Sequence, residues 1–308
     1  MANSTPDEAF ISTMKQVLSE SPAGILELFL ALNIFLSVTA SLGNALILIV
    51  LRKVSSIHPA TKHFYRSLAV TDLCVGVVVQ LLYATFITNM FPAIEMNFNV
   101  FNYVFKVMGA SSLILCGLSV ATSTAISVDR LLALLLGLRY RHIVTLTRVR
   151  SLVICLWLLS SLSGWVRLWK IDVAFKLASS GLVLCLVISI FCYTRIHHKL
   201  RHQQVQVQKR FPRGGLGQPH GEVTPLNIAR YKKTVSIIMW VQLALVACYF
   251  PWGIVAVMDK NAIEHGLAWL TASLLVFLNS SLNPILYCWK IREVRVVVKD
   301  TIGHLICL

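Results

Sequence analysis

Seven long apolar runs constrain this chain more than any other feature of its sequence. About 20 apolar residues in a helix span the hydrocarbon of a bilayer, because each residue adds about 1.5 Å. The runs therefore predict an all-α membrane protein whose fold is a bundle of seven transmembrane helices. Their bounds are Leu28–Leu51, Ser67–Met90, Val107–Val128, Ser151–Val166, Leu177–Thr194, Thr234–Met258 and Gly266–Trp289. The fourth and fifth runs are short, so we expect Arg150 and Arg167 to extend to the membrane interfaces.

The positive charges lie between these runs and set the expected orientation. The formal net charge is +15, and 22 of the 28 Lys and Arg residues fall in four alternate connections, 52–66, 129–150, 195–233 and 290–308. The positive-inside rule predicts that these four segments are cytoplasmic and that the N-terminus is outside. Because the charges do not gather on one face of a folded domain, they do not indicate a nucleic-acid-binding protein.

The runs divide the chain into an exterior N-terminal segment, 1–27, and a bundle, 28–289. A third cytoplasmic connection with helix extensions is expected at 195–233. Alternating basic and apolar residues in 290–308 predict a short amphipathic helix and tail on the inner leaflet. Residues 1–24 lack an apolar core, so no cleavable signal peptide is expected.

Two positions outside the runs are candidates for modification. Asn3 begins an Asn-Ser-Thr sequon on the exterior segment, which predicts glycosylation. Cys307 is a candidate for acylation, although an unmodified thiol fits equally well. None of the eight cysteines lies in an exterior connection, so we predict no structural disulfide.

Polar residues inside the runs are the candidates for function. Asp72 is the only acid within the core of any run, and a carboxylate in the membrane marks a functional site by default. A protonated or hydrogen-bonded helix contact is the open alternative. Asp129 and Arg130 form an adjacent acid and base at the end of the third run. Pro251 and Pro284 each remove a helical hydrogen bond and predict hinges.

Together these residues resemble the rhodopsin-like, or class A, G-protein-coupled receptors. The resemblance covers roughly Leu28 to Cys307 and rests on Asn44, Asp72, Asp129-Arg130, Trp157, Tyr193, Pro251 and Asn283-Pro284-x-x-Tyr287, in this order and in the expected spans. It implies a plasma-membrane receptor, not an enzyme, that transmits an extracellular signal to a heterotrimeric G protein. Its C-terminus would be cytoplasmic. Its surroundings would be membrane lipid, and nucleic acid would not be a partner.

The resemblance also assigns two sets of site residues. The family's sodium pocket maps onto Asp72, Ser119, Asn279, Ser280 and Asn283, and a carboxylate with neutral oxygens suits a hard cation on physical grounds. Sodium would be an allosteric ion, and no other metal or cofactor is expected. Residues of G-protein coupling and of the activation switch map onto Asp129, Arg130, Tyr193, Tyr249, Pro251, Pro284 and Tyr287.

Three departures from the family pattern narrow the resemblance. Phe105 stands where a cysteine normally ties the third span to the second exterior connection. Cys185 replaces the proline of the fifth span, and Tyr249 replaces a tryptophan of the sixth. The missing cysteine, the missing proline and the very short second exterior connection together resemble the melanocortin, cannabinoid, lysophospholipid and adenosine receptor group.

The candidate ligand pocket is apolar and aromatic, with a few hydroxyls and no charge, which favours a neutral or lipid-like ligand. Its residues are Ser112, Leu113, Cys116, Leu177, Trp252, Trp269, Ser273 and Phe277. Packing or interfacial roles for the aromatic residues are the alternative. Two other functions stay open: a receptor-like membrane protein without G-protein signalling, and a small-molecule transporter, which would ordinarily show internal repeats and more charges along its path.

Overall fold

The computed structural model describes residues 12–13, 15–16, 24–55, 57–91, 97–210, 243–255, 266–290, 294–298, 300 and 303. Within these ranges all regular structure is helical. Six of the described helices are long and apolar enough to cross a membrane, and another apolar helix is shorter. The predicted all-α bundle of seven membrane helices is confirmed. Asn3 and Cys307 lie outside the described residues.

The seven helices are α1 to α7 in chain order. Their bounds are Ile25–Lys53 (α1), Pro59–Thr88 (α2), Phe98–Leu136 (α3), Leu146–Trp169 (α4), Ile171–Arg210 (α5), Leu243–Val255 (α6) and Gly266–Lys290 (α7). A short helical turn, Tyr140–Ile143, follows α3. Of the predicted connection 195–233, the first part continues α5 and the part from 211 lies outside the described residues.

Residues at the helix ends explain where several helices begin and stop. Pro59 occupies the first turn of α2, where its missing N–H costs nothing. The Asn97 side chain accepts a hydrogen bond from the Asn99 N–H at 3.0 Å and caps α3. Gly137 stops α3 with φ 53°, a left-handed conformation that glycine adopts without steric cost.

Successive helices run in opposite directions, which gives the bundle two ends. We call them the Arg130 end, where α3 finishes, and the Arg167 end, where α4 finishes. Helix α1 packs on α2 and α7, whereas α3 packs on α2, α4 and α5. In their most apolar stretch, 61% of α7 but only 22% of α4 and of α5 is buried inside the protein. The site residues of α7 therefore lie in the interior.

Glycine allows a close approach of α1 to α7. A Cβ atom on Gly43 would lie 2.9 Å from Cγ of Pro284. Membrane helices commonly meet at small residues, because no large side chain holds the backbones apart. This contact fixes α1 against the proline of α7, which is one of the predicted hinges.

Helix α2 contains a π-helical turn, Val75–Val79, just beyond Asp72. Side chains of α1 bond to carbonyl groups in and after this turn: Ser37 Oγ donates to Gly76 O at 2.8 Å, and Asn33 Nδ2 donates to Gln80 O at 2.8 Å. A π turn disturbs the regular helical hydrogen bonds, so these donors stabilise it. Asp72 thus sits where α2 is held closely by α1.

Two apolar clusters fill the interior on either side of Asp72. The cluster toward the Arg167 end is rich in aromatic rings, including Tyr83, Phe86 and Phe101. The cluster toward the Arg130 end is mostly aliphatic and contains Ile47 and Leu68. The polar residues around Asp72 therefore lie between two apolar regions of the bundle.

Two expectations about side chains near the membrane interfaces had different outcomes. Arg150 is exposed, as a side chain that reaches water would be. Arg167 was expected to do the same, but it is only 3% exposed, so that expectation is wrong. Its side chain turns inward and contacts aromatic rings instead of extending past the end of α4.

The short helix at 294–298 lies after α7, in the segment predicted to be amphipathic. Val294 and Val298, four residues apart, are buried against the aliphatic cluster, whereas Arg295 and Val296 are exposed. Arg295 Nε donates to the carbonyl of Cys288 at 3.2 Å. One face of this short helix is therefore anchored to the bundle, next to the end of α7.

Candidate functional site

Asp72 is the centre of a hydrogen-bonded cluster that joins three helices. Its side chain is fully buried. Oδ1 accepts hydrogen bonds from Ser119 Oγ of α3 at 2.8 Å and from Ser280 Oγ of α7 at 2.9 Å. Oδ2 accepts from Asn283 Nδ2 of α7 at 2.7 Å. A buried carboxylate needs such partners, because burial of an unpaired charge is very unfavourable.

Asn44 of α1 supports the part of α7 that carries two of these donors. Pro284 has no N–H, so the carbonyl of Ser280, four residues earlier, loses its helical hydrogen bond. Asn44 Nδ2 donates to that carbonyl at 3.0 Å. The proline-induced gap in α7 is thus closed by a side chain of α1, directly beside the Asp72 cluster.

The chemistry of this cluster fits a hard cation. Sodium prefers oxygen ligands, and the cluster offers a carboxylate and two hydroxyl oxygens. Its three donors to Asp72 are neutral, so they do not balance the carboxylate charge. Four of the five predicted sodium residues meet here. The fifth, Asn279, is buried, but its Nδ2 has no hydrogen-bond partner among the described residues.

A second buried carboxylate, Asp129, organises the Arg130 end. Its Oδ1 accepts from Tyr140 Oη at 2.6 Å, and its Oδ2 accepts from Thr61 Oγ1 at 3.0 Å. Arg130 forms an ion pair with Oδ2, with Nη2 at 2.5 Å, and also donates to Thr61. This network holds the guanidinium of Arg130 against the carboxylate of Asp129, the preceding residue.

Sequence reasoning identified Asp129 and Arg130 but missed Thr61 and Tyr140. Thr61 lies in the first turn of α2, and Tyr140 lies in the turn after α3. Thr61 reaches Asp129 because α2 packs on α3, and Tyr140 reaches it because the chain turns back after Gly137. A single sequence carries no local signal for either contact.

The two tyrosines predicted to take part in the switch have different surroundings. Tyr287 is buried, its ring meets that of Tyr65 with 5.1 Å between centroids, and its hydroxyl has no hydrogen-bond partner among the described residues. Tyr193 is half-buried, and its ring lies beside His197 on the same helix. Among the described contacts of either ring, none joins it to Arg130.

Tyr249 of α6 contacts α3 on the side of the Asp72 cluster that faces the Arg167 end. Its hydroxyl donates to the carbonyl of Cys116 at 3.3 Å, and both residues are buried. Pro251 follows two residues later on α6. A polar contact between α3 and α6 is therefore made by the tyrosine that replaces the usual tryptophan of the family.

Most of the predicted ligand-pocket residues lie in or beside the aromatic cluster. Trp269 and Phe277 flank Tyr83, with ring centroids 5.9 and 5.0 Å away, and Ser273 is buried between them along α7. Ser112 is half-buried and donates to the carbonyl of Met108. Leu113 is half-buried one residue further along α3. These residues bring aromatic rings and hydroxyls together near the Arg167 end, and their assignment to a ligand pocket stays a prediction.

Leu177 is not brought to this cluster. It is 46% exposed and lies on the same face of α5 as Val173, Leu184 and Val187, which are also exposed. In a membrane this face would contact lipid. Trp252, by contrast, packs partly against the cluster, and its ring lies 6.2 Å from that of Phe175.

Comparison with known proteins agrees with this arrangement. The profile of the family "7 transmembrane receptor (rhodopsin family)" matches residues 43–170 and 163–287, which is most of the chain. The octopamine receptor beta-1R of Drosophila melanogaster is 24% identical over 88% of this chain, and the chain spans 60% of that receptor's length. Melanocortin receptor 4 of Danio rerio is 24% identical, covering 89% of this chain and 84% of the receptor.

The adenosine receptor A3 of Bos taurus is 23% identical over 87% of each chain. All three relatives are receptors, and the matched part of this chain includes both buried aspartates and the helices that hold them. On the profile match, the helical bundle and the two aspartate networks, the chain belongs to the rhodopsin family of seven-transmembrane receptors.

Proposed function

We propose that the protein is a plasma-membrane receptor that transmits the binding of an extracellular ligand to a heterotrimeric G protein. Its N-terminus is outside and its Arg130 end is cytoplasmic. The family and the excess of Lys and Arg in four alternate connections support this orientation. The receptor is not itself an enzyme and uses no organic cofactor.

The observation that carries this proposal is the placement of Arg130 and the candidate ligand pocket on one uninterrupted helix. Ser112 and Arg130 both belong to α3, which is continuous from Phe98 to Leu136. Eighteen residues separate them, about 27 Å along the helix axis. A rotation or shift of α3 caused by a ligand is therefore transmitted directly to the Asp129 network.

Release of Arg130 is the expected activating step. At rest, the guanidinium is held by Asp129 and contacts Thr61 of α2. When α2 and α3 separate, Thr61 withdraws from both Asp129 and Arg130, and the less firmly held arginine can turn toward the G protein. Tyr193 and Tyr287 are proposed to stabilise the open state, as in the family.

Sodium in the Asp72 cluster favours the resting state. An ion shifts a two-state equilibrium only by its differential affinity for the two states. Because Ser119 comes from α3 whereas Ser280 and Asn283 come from α7, a movement of α7 relative to α3 disperses the oxygens around the ion. Sodium therefore binds the closed arrangement more tightly.

The ligand is neutral or lipid-like. The described pocket residues Ser112, Cys116, Trp252, Trp269, Ser273 and Phe277 carry rings, thiols and hydroxyls but no charge. A ligand with apolar surface and a few polar groups complements such a lining. We also propose that Asn3 is glycosylated and that Cys307 is acylated.

The test is nucleotide exchange on purified G proteins by membranes that contain the receptor. Exchange is measured without ligand and with a library of neutral lipids and small apolar ligands. The matched control is Arg130→Ala at equal surface expression. We expect exchange above that control for at least one G-protein class. No difference from Arg130→Ala under any condition would instead indicate a receptor-like protein without G-protein signalling.

A further inference from the structure

The buried Arg167 is the most unusual side chain at its end of the bundle. It lies in the last turn of α4 and is 3% exposed, although a side chain at a helix end could extend to water. Burial of a guanidinium is favourable only when the protein supplies specific contacts for it. Those contacts therefore indicate what the residue does.

Two aromatic rings from different helices provide such contacts. The guanidinium carbon lies 5.3 Å from the ring centroid of Phe105 on α3 and 5.8 Å from that of Phe175 on α5. Both distances are within the range of cation–π attraction, which strengthens when the cation is withdrawn from water. One cation on α4 thus contacts both helices that pack beside it.

Gly109 makes room for this arrangement on α3. A Cβ atom there would lie 3.2 Å from Nε and from Nη2 of Arg167. Any larger residue would press on the guanidinium, so the glycine allows it to lie against the helix backbone. The arginine, the glycine and the two rings fit together as one contact.

The same rings belong to a longer chain of contacts around the bundle. Phe105 lies beside Phe86 of α2, and Phe86 lies beside Trp269 of α7, with 5.8 Å between centroids in each pair. On the other side, Phe175 lies 6.2 Å from Trp252 of α6. We call this chain the collar; in order it contains Trp269, Phe86, Phe105, Arg167, Phe175 and Trp252. Arg167 is its only charged member, and the collar includes one residue from each of α2 to α7.

The collar lies at the position where the general family pattern, as set out from the sequence, places a covalent tie. Phe105 occupies the position of the cysteine that would join the third span to the second exterior connection. Here that connection is the single residue Lys170, between Trp169 and Ile171. The cysteines within the described ranges are free thiols.

We infer that Arg167 is a positioning residue that takes the place of this covalent tie. Its guanidinium, held between Phe105 and Phe175, fixes the Arg167 ends of α3, α4 and α5 relative to one another. It thereby sets the spacing of α3 and Trp252 on opposite sides of the candidate pocket. We call this contact of Arg167 with Phe105 and Phe175 the clamp. The clamp does not depend on G-protein coupling.

A double-mutant cycle tests the clamp. The full-length protein is purified in detergent, and unfolding on heating is followed with a thiol-reactive dye. Phe105→Leu is made in the wild-type protein, in Arg167→Met and in Arg167→Lys. We expect Phe105→Leu to lower the melting temperature about 2–4 °C more in the wild type than in Arg167→Met, because only the wild type has a cation for the ring to hold.

The conservative change Arg167→Lys should retain part of this coupling, since an ammonium is also attracted to a ring. Phe101→Leu is the matched control: Phe101 is on the same helix and stacks on Phe86, but no described contact joins it to Arg167. Its effect should be the same in all three backgrounds. Equal effects of Phe105→Leu in the wild type and in Arg167→Met would overturn the inference.

A milder pair of substitutions covers the case in which Phe105→Leu does not fold. Gly109→Ala and Gly117→Ala both replace a glycine of α3, so both gain the same helix propensity. A Cβ on Gly117 would meet no atom within 4 Å, whereas one on Gly109 would press on Arg167. Gly109→Ala should therefore melt at a lower temperature than Gly117→Ala. An equal or higher melting temperature would refute the close fit on which the clamp depends.

Discussion

Asp72 and Asp129 are both buried aspartates with three described side-chain partners each, yet they balance their charges differently. Asp129 has a cation beside it, the guanidinium of Arg130 at 2.5 Å. Asp72 is surrounded by Ser119, Ser280 and Asn283, which are all neutral. Of these two networks, it is that of Asp129 in which the described residues form an ion pair.

This difference separates two functions that a buried carboxylate can serve. A carboxylate that is ion-paired with an arginine makes a contact that can be broken, and breaking it releases the arginine. A carboxylate with neutral partners leaves a charge that a mobile ion can balance. The first therefore suits a switch, and the second suits an ion-sensing site that controls the switch.

The strongest test of the comparison removes the charge of Asp129. In Asp129→Asn, Arg130 loses its ion-pair partner. Disruption of a fully buried pair costs about 3–5 kcal/mol, and we expect about 2–3 kcal/mol here because the Arg130 side chain is 22% exposed. G-protein activation without ligand should rise about tenfold or more. Unchanged basal activation at equal surface expression would show that this pair does not hold the resting state.

Removal of the charge of Asp72 should abolish a response to sodium instead of breaking an ion pair. Sodium at ten times its dissociation constant stabilises the site that binds it by about 1.4 kcal/mol. In the wild type, NaCl should therefore raise the melting temperature and lower basal activation relative to choline chloride at equal ionic strength. Asp72→Asn should lose both responses, and Asp129→Asn should keep the first. A sodium response that survives in Asp72→Asn would place the ion elsewhere.

Single hydrogen bonds give the smallest and most selective test. Tyr140→Phe removes one donor from Asp129, and Ser119→Ala removes one from Asp72. Each should cost about 1 kcal/mol, a factor of about five in an equilibrium. Tyr140→Phe should raise basal activation without changing the concentration of sodium needed for half its effect. Ser119→Ala should raise that concentration; the reverse pattern would contradict the division between the two networks.

The helical bundle was predictable because the apolar runs are long, but the ends of the helices were not. Hydropathy marks the part of a helix inside the hydrocarbon, and Val107–Val128 is such a part. Helix α3 continues on both sides of it, from Phe98 to Leu136, because Lys106, Asp129 and Arg130 interrupt the apolar run but not the helix. What stops α3 is Gly137, a local backbone signal that hydropathy ignores.

The candidate sites show the same limit. Resemblance to a family assigned Ser119, Ser280 and Asn283 to Asp72, and the structure brings them together. Contacts between distant segments, such as that of Thr61 with Asp129, have no local pattern. Leu177 was assigned to the pocket because it lies in the exterior half of the fifth span, and a position along a span does not show which face of the helix points to the interior.

The single residue between α4 and α5 has a mechanical consequence. Two Cα–Cα steps of about 3.8 Å keep Trp169 and Ile171 within about 7.6 Å of each other in every conformation of the chain. Helix α5 is 40 residues long, about 60 Å. Any large motion of α5 relative to α4 is therefore a swing about a fixed pivot. A tilt of about 5° would scarcely move the pivot but would carry the far end of this lever through about 5 Å.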